Sequence, residues 1–276
     1  MWECWEDEEN RQPYEACSKK ISSQFQSIIV DKCFPNVTIW AMAERKENRL
    51  STLTWQEVQK MVGLERFFGQ EDVNKHYGDK LNISTDTPLP TWWRRDVIDG
   101  PCPFYANKKF SETHFVYFTF PTTIQELIEL HPGNMHYKEG THPKIDALWL
   151  AGEFENQTYH YKKSVPGWHT LLIGAVPTTQ VVTIPEINEL IGNDYELSFA
   201  VDRVTANIFY YHLNNEYLDK KLLVHCQDWD TSEFPSGSSV VVGAADLPGS
   251  GNGIWIGHSN INYADQYTRI SASRKF

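Results

Sequence analysis

The chain has 276 residues, of which 41% are hydrophobic and 13% are aromatic, and its formal net charge at pH 7 is −11. This composition is sufficient for a sizeable core. The negative charge opposes nonspecific attraction to nucleic acid or to anionic membranes, because lysine and arginine supply the affinity for phosphate. We therefore expect no nucleic-acid partner, and the lack of a run of about 18 apolar residues predicts no membrane span.

The N-terminal sequence and the cysteines indicate in which cellular compartment the protein is expected. The first residues, MWECWEDEEN, are acidic where a secretory signal is basic and then apolar. The five cysteines are irregularly spaced and include no CxxC pair, which favours free thiols in a reducing compartment. We expect a protein that is cytoplasmic, or exported without a classical signal peptide.

Residues 1–87 are predicted to form a helical N-terminal region. A first helix is expected from Pro13 to near Pro35, since its apolar residues recur at helical spacing. Thr54 and Glu57 have the spacing of a capping box, which predicts that a second helix begins directly after Thr54. A polar stretch ending in TDTPLP then suggests a linker.

Residues 88–276 are predicted to form a mixed domain of the α+β class, because strands alternate with helices without the regularity of βαβ units. The predicted strands cover residues 111–121, 147–154, 168–176, 222–225, 239–244, 253–257 and 269–276. Short helices are predicted at residues 124–130 and 184–190. The longest helix is predicted from Glu196 to Leu218, with Asp202, Arg203 and Asn207 on its polar face.

Two groups of residues suggest catalysis, and a structural interpretation competes with each. Glu112 and His114 lie two apart on a predicted strand, so they would share one face as an acid–base pair or simply lie at the surface. His225 stands next to Cys226, but neighbours on a strand point to opposite faces, so a buried structural cysteine is favoured. A hydrolase or transferase with Glu112, His114 and His225 in one cleft is therefore kept as an alternative.

Two further groups suggest binding sites. His131, His136 and His142 share one predicted loop, but their spacing matches no zinc signature, so no metal site is predicted. Trp92 and Trp93 suggest either anchors packed into the core, which is favoured, or a platform that stacks on a base or sugar. The motifs GxxxxGK[ST], GxGxxG, GxSxG and HExxH are all missing, so no cofactor and no catalytic residue is predicted.

The C-terminal residues 238–276 contain the pattern on which the functional expectation depends. An apolar run and a glycine-rich turn lead into Ile254-Trp255-Ile256, and the next residues, GHSNINYADQY, contain almost no aliphatic side chains. A further predicted strand ends the chain. Tyrosine and tryptophan supply contact area, and asparagine, histidine and aspartate supply adaptable hydrogen bonds. A polar and aromatic segment between two scaffold strands is therefore typical of a binding surface.

Three segments in order resemble a family of uncharacterised proteins from environmental chlamydiae and related bacteria. They are GPCPFYANKKFSETHFVYFTFP, then GWHTLLIGAVP, then VVVGAADLPGSGNGIWIG with the ending SASRKF. The resemblance covers roughly residues 88–276. It implies a shared fold and no particular activity, because the family has none assigned.

The ending also resembles the C-terminus of C-type-lectin-like domains of the formylglycine-generating-enzyme type. Such domains serve as variable ligand-binding proteins of diversity-generating retroelements, in which the adenines of Asn codons are randomised. Between Gly257 and Thr268, every residue except Gln266 belongs to the set that such codons reach. The paired cysteines of the enzyme branch are missing near the C-terminus, so oxidase chemistry is not implied.

We therefore expect a noncatalytic bacterial recognition protein that binds an unidentified protein or small-molecule ligand through one surface near its C-terminus. The predicted ligand-binding residues are Trp255, His258, Asn260, Asn262, Tyr263, Asp265 and Tyr267. A host-directed effector or interaction protein, whose N-terminal helices bind a partner, is the remaining alternative.

Overall fold

The computed structural model describes residues 51–78, 87–130, 159, 161–177, 184–220, 222–230, 238–244, 254–260 and 268–275. The part of the chain from Thr52 to Phe276 forms one compact unit. Its described residues combine helices with two mixed sheets, which confirms the α+β class. None of the helices in these ranges is both long enough and apolar enough to cross a bilayer. The predicted first helix and the predicted strand at 147–154 lie outside the described residues.

The helices within these ranges are short, apart from the last. They are α1 (Trp55–Val62), α2 (Gln70–Tyr77), α3 (Arg95–Ile98), α4 (Phe110–Thr113), α5 (Ile124–Leu130), α6 (Ile184–Ile191) and α7 (Ala200–Asn214). The strands are β1 (Phe67–Phe68), β2 (His114–Thr119), β3 (Gly167–Leu172), β4 (Tyr195–Glu196), β5 (Leu223–Asp230), β6 (Ser238–Ala244), β7 (Ile254–Asn260), β8 (Thr268–Ile270) and β9 (Ser273–Arg274).

The strands of the described residues form two sheets. The first has the order β1-β2-β3-β9-β4, and β2 and β3 form its long antiparallel pair. The second has the order β7-β6-β5-β8, in which β5 is antiparallel to β6 and parallel to β8. The last strands of the chain, β8 and β9, belong to different sheets, so the C-terminal residues connect the two sheets.

Local capping signals set the starts of two helices. The Thr54 side chain accepts a hydrogen bond from the backbone of Glu57, whose carboxylate accepts one from the backbone of Thr54, which confirms the predicted capping box. Thr123 and Glu126 make the same reciprocal pair before α5, and this helix has the predicted bounds. Both helices therefore begin where a polar side chain satisfies the first free backbone N–H groups.

The longest helix is shorter than predicted at both ends. Tyr195 and Glu196 pair with β9 as strand β4, so α7 begins at Ala200. At its C-terminal end, Asn215 adopts a left-handed conformation with a φ of 55°, and its N–H donates to the carbonyl of Tyr211. Strand pairing at one end and a left-handed cap at the other therefore limit the helix.

The main hydrophobic core lies around α7 and β2 and is rich in aromatic rings. Phe209 of α7 stacks on Phe68 with ring centroids 4.2 Å apart, and Trp93 packs edge-on against Trp168 at 4.8 Å. Residues of α1 and α2, such as Val62, belong to the same cluster. The two helices α1 and α2 therefore share one core with β2 and α7.

Candidate functional site

The predicted binding residues begin at the edge of the second sheet. Trp255, His258 and Asn260 belong to β7, which is the outermost strand on this side among the described strands. The other predicted binding residues, Asn262, Tyr263, Asp265 and Tyr267, lie outside the described residues. Of this candidate surface, the structure therefore describes β7, the strand that leads into it.

The strand next to this edge is a rigid support. β6 and β7 pair over seven successive positions, from Ser238 opposite Asn260 to Ala244 opposite Ile254. The side chains of Val240 and Val242 on β6 are fully buried, as is that of Ile256 on β7. The polar residues that follow in the sequence thus continue from a strand that is anchored in the core.

The register of β7 assigns the predicted binding positions to opposite sides of the second sheet. Position 255 lies opposite Gly243, and position 258 lies opposite Val240. Alternate positions of a strand belong to opposite sides of its sheet. Position 255 therefore belongs to one side of the second sheet, and positions 258 and 260 belong to the other.

The predicted acid–base pair is not formed. Residues 110–113 are helical, so the prediction that Glu112 and His114 share one face of a strand is wrong. The Glu112 side chain is exposed, and its carboxylate accepts a hydrogen bond from the backbone of Lys109 at 2.7 Å. His114 is fully buried and stacks on Phe110 at 3.9 Å, and burial lowers the pKa of its imidazole to about 3. His114 is therefore neutral at pH 7.

His225 lies in the other sheet. It is buried on β5, its Nδ1 is hydrogen-bonded to the hydroxyl group of Ser239, and burial lowers its pKa to about 4. Cys226 is fully buried, and burial raises the pKa of its thiol well above the usual value, which confirms the structural interpretation of this cysteine. His114 and His225 are thus two neutral, separately bonded groups on different sheets.

The tryptophan pair serves in packing, as favoured from the sequence. Trp93 is fully buried, and Trp92 is half-buried against Phe110. The guanidinium group of Arg274, on the last strand, lies 4.9 Å from the ring centroid of Trp92 and 5.4 Å from that of Tyr195. These rings anchor the C-terminal strand to the first sheet.

Sequence reasoning missed the burial of the polar face of α7. Arg203 and Asn207 are fully buried, and both donate hydrogen bonds to the carboxylate of Asp219 at 2.7 Å. Arg203 also donates to the hydroxyl group of Ser271 at 2.9 Å. The partners follow the helix or lie far along the chain, so spacing within the helix gives no signal for this network.

A second polar group at the start of α7 was also missed. Asp228 of β5 accepts hydrogen bonds from the backbone N–H of Ala200 at 2.6 Å and from the ammonium group of Lys162 at 3.1 Å. Asp202 lies in the first turn of the same helix, and its Oδ1 atom is buried without a hydrogen-bond partner. A buried carboxyl oxygen without a donor is unusual, because most buried polar atoms in proteins are hydrogen-bonded.

The comparisons with known proteins add no constraint. Neither the protein-family models nor the curated proteins nor the solved structures gave a match to this chain. Within the described ranges, no three His, Cys, Asp or Glu side chains converge as metal ligands. The three histidines of the predicted loop at 131–142 lie outside those ranges. Any function must therefore be inferred from the residues themselves.

Proposed function

We propose that this chain is a noncatalytic recognition protein whose binding surface starts on β7 and continues through residues 261–267. The observation that supports the proposal is the position of β7, which among the described strands lies at the edge of a sheet whose neighbouring strand β6 is fully buried at Val240, Val241 and Val242. An edge position leaves one side of a strand open to a partner, and a buried neighbour keeps that strand fixed.

The residues after the segment support the same proposal. β8 pairs with β5 at three successive positions, and Ile270 and Ala272 are buried. The backbone N–H of Leu172 donates to the carbonyl of Ala272, and that of Val176 donates to the carbonyl of Ile270, both within 3 Å. The polar segment is thus preceded and followed by strands that belong to the core, and such anchoring reduces the entropy lost when a surface binds.

We further propose that the domain is C-type-lectin-like and that its recognition surface varies between copies of the gene. The composition of residues 257–268 supports this proposal, because all but Gln266 belong to the set that randomised Asn codons reach. Asparagine, tyrosine, histidine and aspartate in this set suit a surface that must adapt to different protein or small-molecule ligands.

Sequencing the 3′ end of the gene from many cells of one population tests the proposal. We expect amino-acid replacements to concentrate at the six predicted binding residues after Gly257 and to arise from substitutions of adenines, most clearly in the codons of Asn260 and Asn262. The codons of Val240–Val242 are the matched control, because these buried residues support the surface and should stay constant. Replacements that are as rare at the six positions as at the control codons would refute the variable surface.

A further inference from the structure

A β-bulge brings Asp228 to the start of α7. The pairing of β5 with β6 shifts in register between His225 and Trp229, and Asp228 lies within this shift. Its Oδ2 atom accepts the hydrogen bond from the backbone N–H of Ala200, the first residue of α7. Phe199, the residue that precedes the helix, offers no side-chain cap. Asp228 therefore supplies the cap from a different element, which is a typical use of a bulge that redirects a side chain.

Lys162 neutralises the charge of Asp228. Its ammonium group is 3.1 Å from Oδ1 of Asp228 and 3.3 Å from the ring centroid of Phe199. Both carboxylate oxygens of Asp228 thus have donors. Asp228, Lys162 and the backbone of Ala200 form a polar junction. The Lys162 side chain is 41% exposed, so this junction reaches the protein surface on one side.

Asp202 has no such compensation. The residue is 5% exposed, and its Oδ1 atom has no hydrogen-bond partner. A buried ionised carboxylate without donors is strongly disfavoured, and binding a proton removes the charge. Burial is the main cause that raises the pKa of this carboxyl group to about 7, the negative charge of Asp228 adds to the rise, and Lys162 opposes it.

The charged and titratable groups around Asp202 come from several elements. The hydroxyl group of Tyr117 on β2 donates a hydrogen bond to the backbone carbonyl of Asp202. The other groups are Lys162 in the segment before β3, Glu196 on β4, Arg203 on α7, and Cys226 and Asp228 on β5. Arg203 is bonded to Asp219 and Lys162 to Asp228, so neither cation is assigned to Asp202.

We propose that Asp202 is a proton-binding site that controls the junction between α7, β5 and the segment around Lys162. With the proton bound, the first turn of α7 stays closed over a neutral carboxyl group. When the proton is lost, the turn opens so that water reaches the carboxylate. The hydrogen bonds of Asp228 with Ala200 and Lys162 hold the helix start in place in the closed state.

The direction of the pH dependence follows from the raised pKa. The unfolded chain loses the Asp202 proton near the ordinary value of 3.8, whereas the folded chain keeps it until about pH 7. The folded state therefore binds more protons between these values, and the stability that this group contributes falls as the pH rises through that window. Above this pH window, the stability that the Asp202 proton contributes is lost completely and no longer changes with pH.

A ¹³C NMR titration of the aspartate carboxyl carbons in the full chain tests the proposal, with the Asp202→Asn variant identifying the resonance. We expect the Asp202 carboxyl carbon to titrate with a midpoint near pH 7, and the amide signals of Ala200, Asp202 and Arg203 to shift with the same midpoint. A midpoint near pH 4 would overturn the proposal. Amide signals that do not follow the titration would overturn the opening of the turn.

A second variant tests whether Lys162 influences the protonation of Asp202 in addition to the effect of burial. Lys162→Met keeps most of the length of the side chain and removes the positive charge, and the exposure of Lys162 makes the variant compatible with folding. We expect the Asp202 midpoint to move to higher pH, because the positive charge of Lys162 opposes protonation of Asp202 and the variant removes it. The matched control is Lys60→Met on α1, which should leave the midpoint unchanged. A midpoint that Lys162→Met does not move would exclude Lys162 from the junction.

Discussion

Replacing Asp219 by Ala is expected to lower the free energy of unfolding by about 3–5 kcal/mol. Asp219 and Arg203 are both fully buried, and the guanidinium group donates to both oxygens of the Asp219 carboxylate. Asn207 donates to the same carboxylate, and its own carbonyl oxygen accepts from the backbone N–H of Asp219 at 3.0 Å. Removal of the carboxylate leaves a buried guanidinium without its counter-charge, and the cost of that burial is the reason for the large effect.

Urea unfolding followed by tryptophan fluorescence measures this effect. The matched control is Glu216→Ala, which breaks the neighbouring ion pair with Lys220; both of these side chains are about half exposed, so a change below about 0.5 kcal/mol is expected. Replacing Arg203 by Met together with Asp219→Leu should recover most of the loss, because neither partner of this pair then remains as an unpaired buried charge. A single Asp219→Ala variant that stays within 1 kcal/mol of the parent would show that the pair is not buried as described.

Replacing Phe209 by Ala is expected to cost about 3–5 kcal/mol, because the substitution removes a fully buried ring and leaves a cavity. The ring of Phe209 stacks on Phe68, and its centroid lies within 6.3 Å of the ring centroids of Tyr77, Tyr117 and Phe120. These rings come from α2, β1, β2 and the residue that follows β2. The cavity would therefore loosen the contacts of α7 with several elements at once.

The same unfolding measurement, made on two further variants, checks this interpretation. Phe209→Leu keeps most of the volume and should cost clearly less than Phe209→Ala. Leu64→Ala is the control for loss of apolar surface, since Leu64 is 70% exposed and should change stability by less than about 0.5 kcal/mol. Equal effects of Phe209→Ala and Leu64→Ala would contradict the central position of Phe209 in the core.

Features set by neighbouring residues could be predicted from the sequence. The capping box of Thr54 and the helix at residues 124–130 depend on side chains three positions apart and on local periodicity, and the structure confirms both. The strand at Ser239–Ala244 was predicted within one residue for the same reason, because its apolar run is uninterrupted. These signals do not require knowledge of which elements pair.

Features set by distant partners could not be predicted. Arg203 and Asp202 were assigned to a polar helix face, but both are buried, and their hydrogen-bond partners Asp219, Ser271 and Tyr117 are not visible from helical spacing. Strand β5 was predicted to end at His225 and extends to Asp230, because β6 pairs with it beyond the bulge. Glu112 was placed on a strand, although its carboxylate closes a helical turn at Lys109.

In the candidate surface, too, the local features could be predicted from the sequence and the features set by distant strands could not. An apolar segment at Ile254–Ile256 followed by polar residues could be recognised in the sequence, and the structure extends that strand to Asn260. The position of β7 at the edge of its sheet depends on the order of all four strands, which the sequence does not reveal. The proton site at Asp202 gave no signal, because Lys162 and Asp228 are separated by 66 positions.

A scan of single substitutions across residues 238–276, sorted for resistance to proteolysis, tests whether residues 261–267 form a binding surface. We expect chains with charged or small replacements at Asn262, Tyr263, Asp265 and Tyr267 to stay resistant, because these residues would face a ligand. The same replacements at the buried residue Val242 should abolish resistance. If aspartate or alanine at Tyr263 and Tyr267 abolishes resistance as completely as it does at Val242, the segment is part of the core and the proposed recognition surface does not exist.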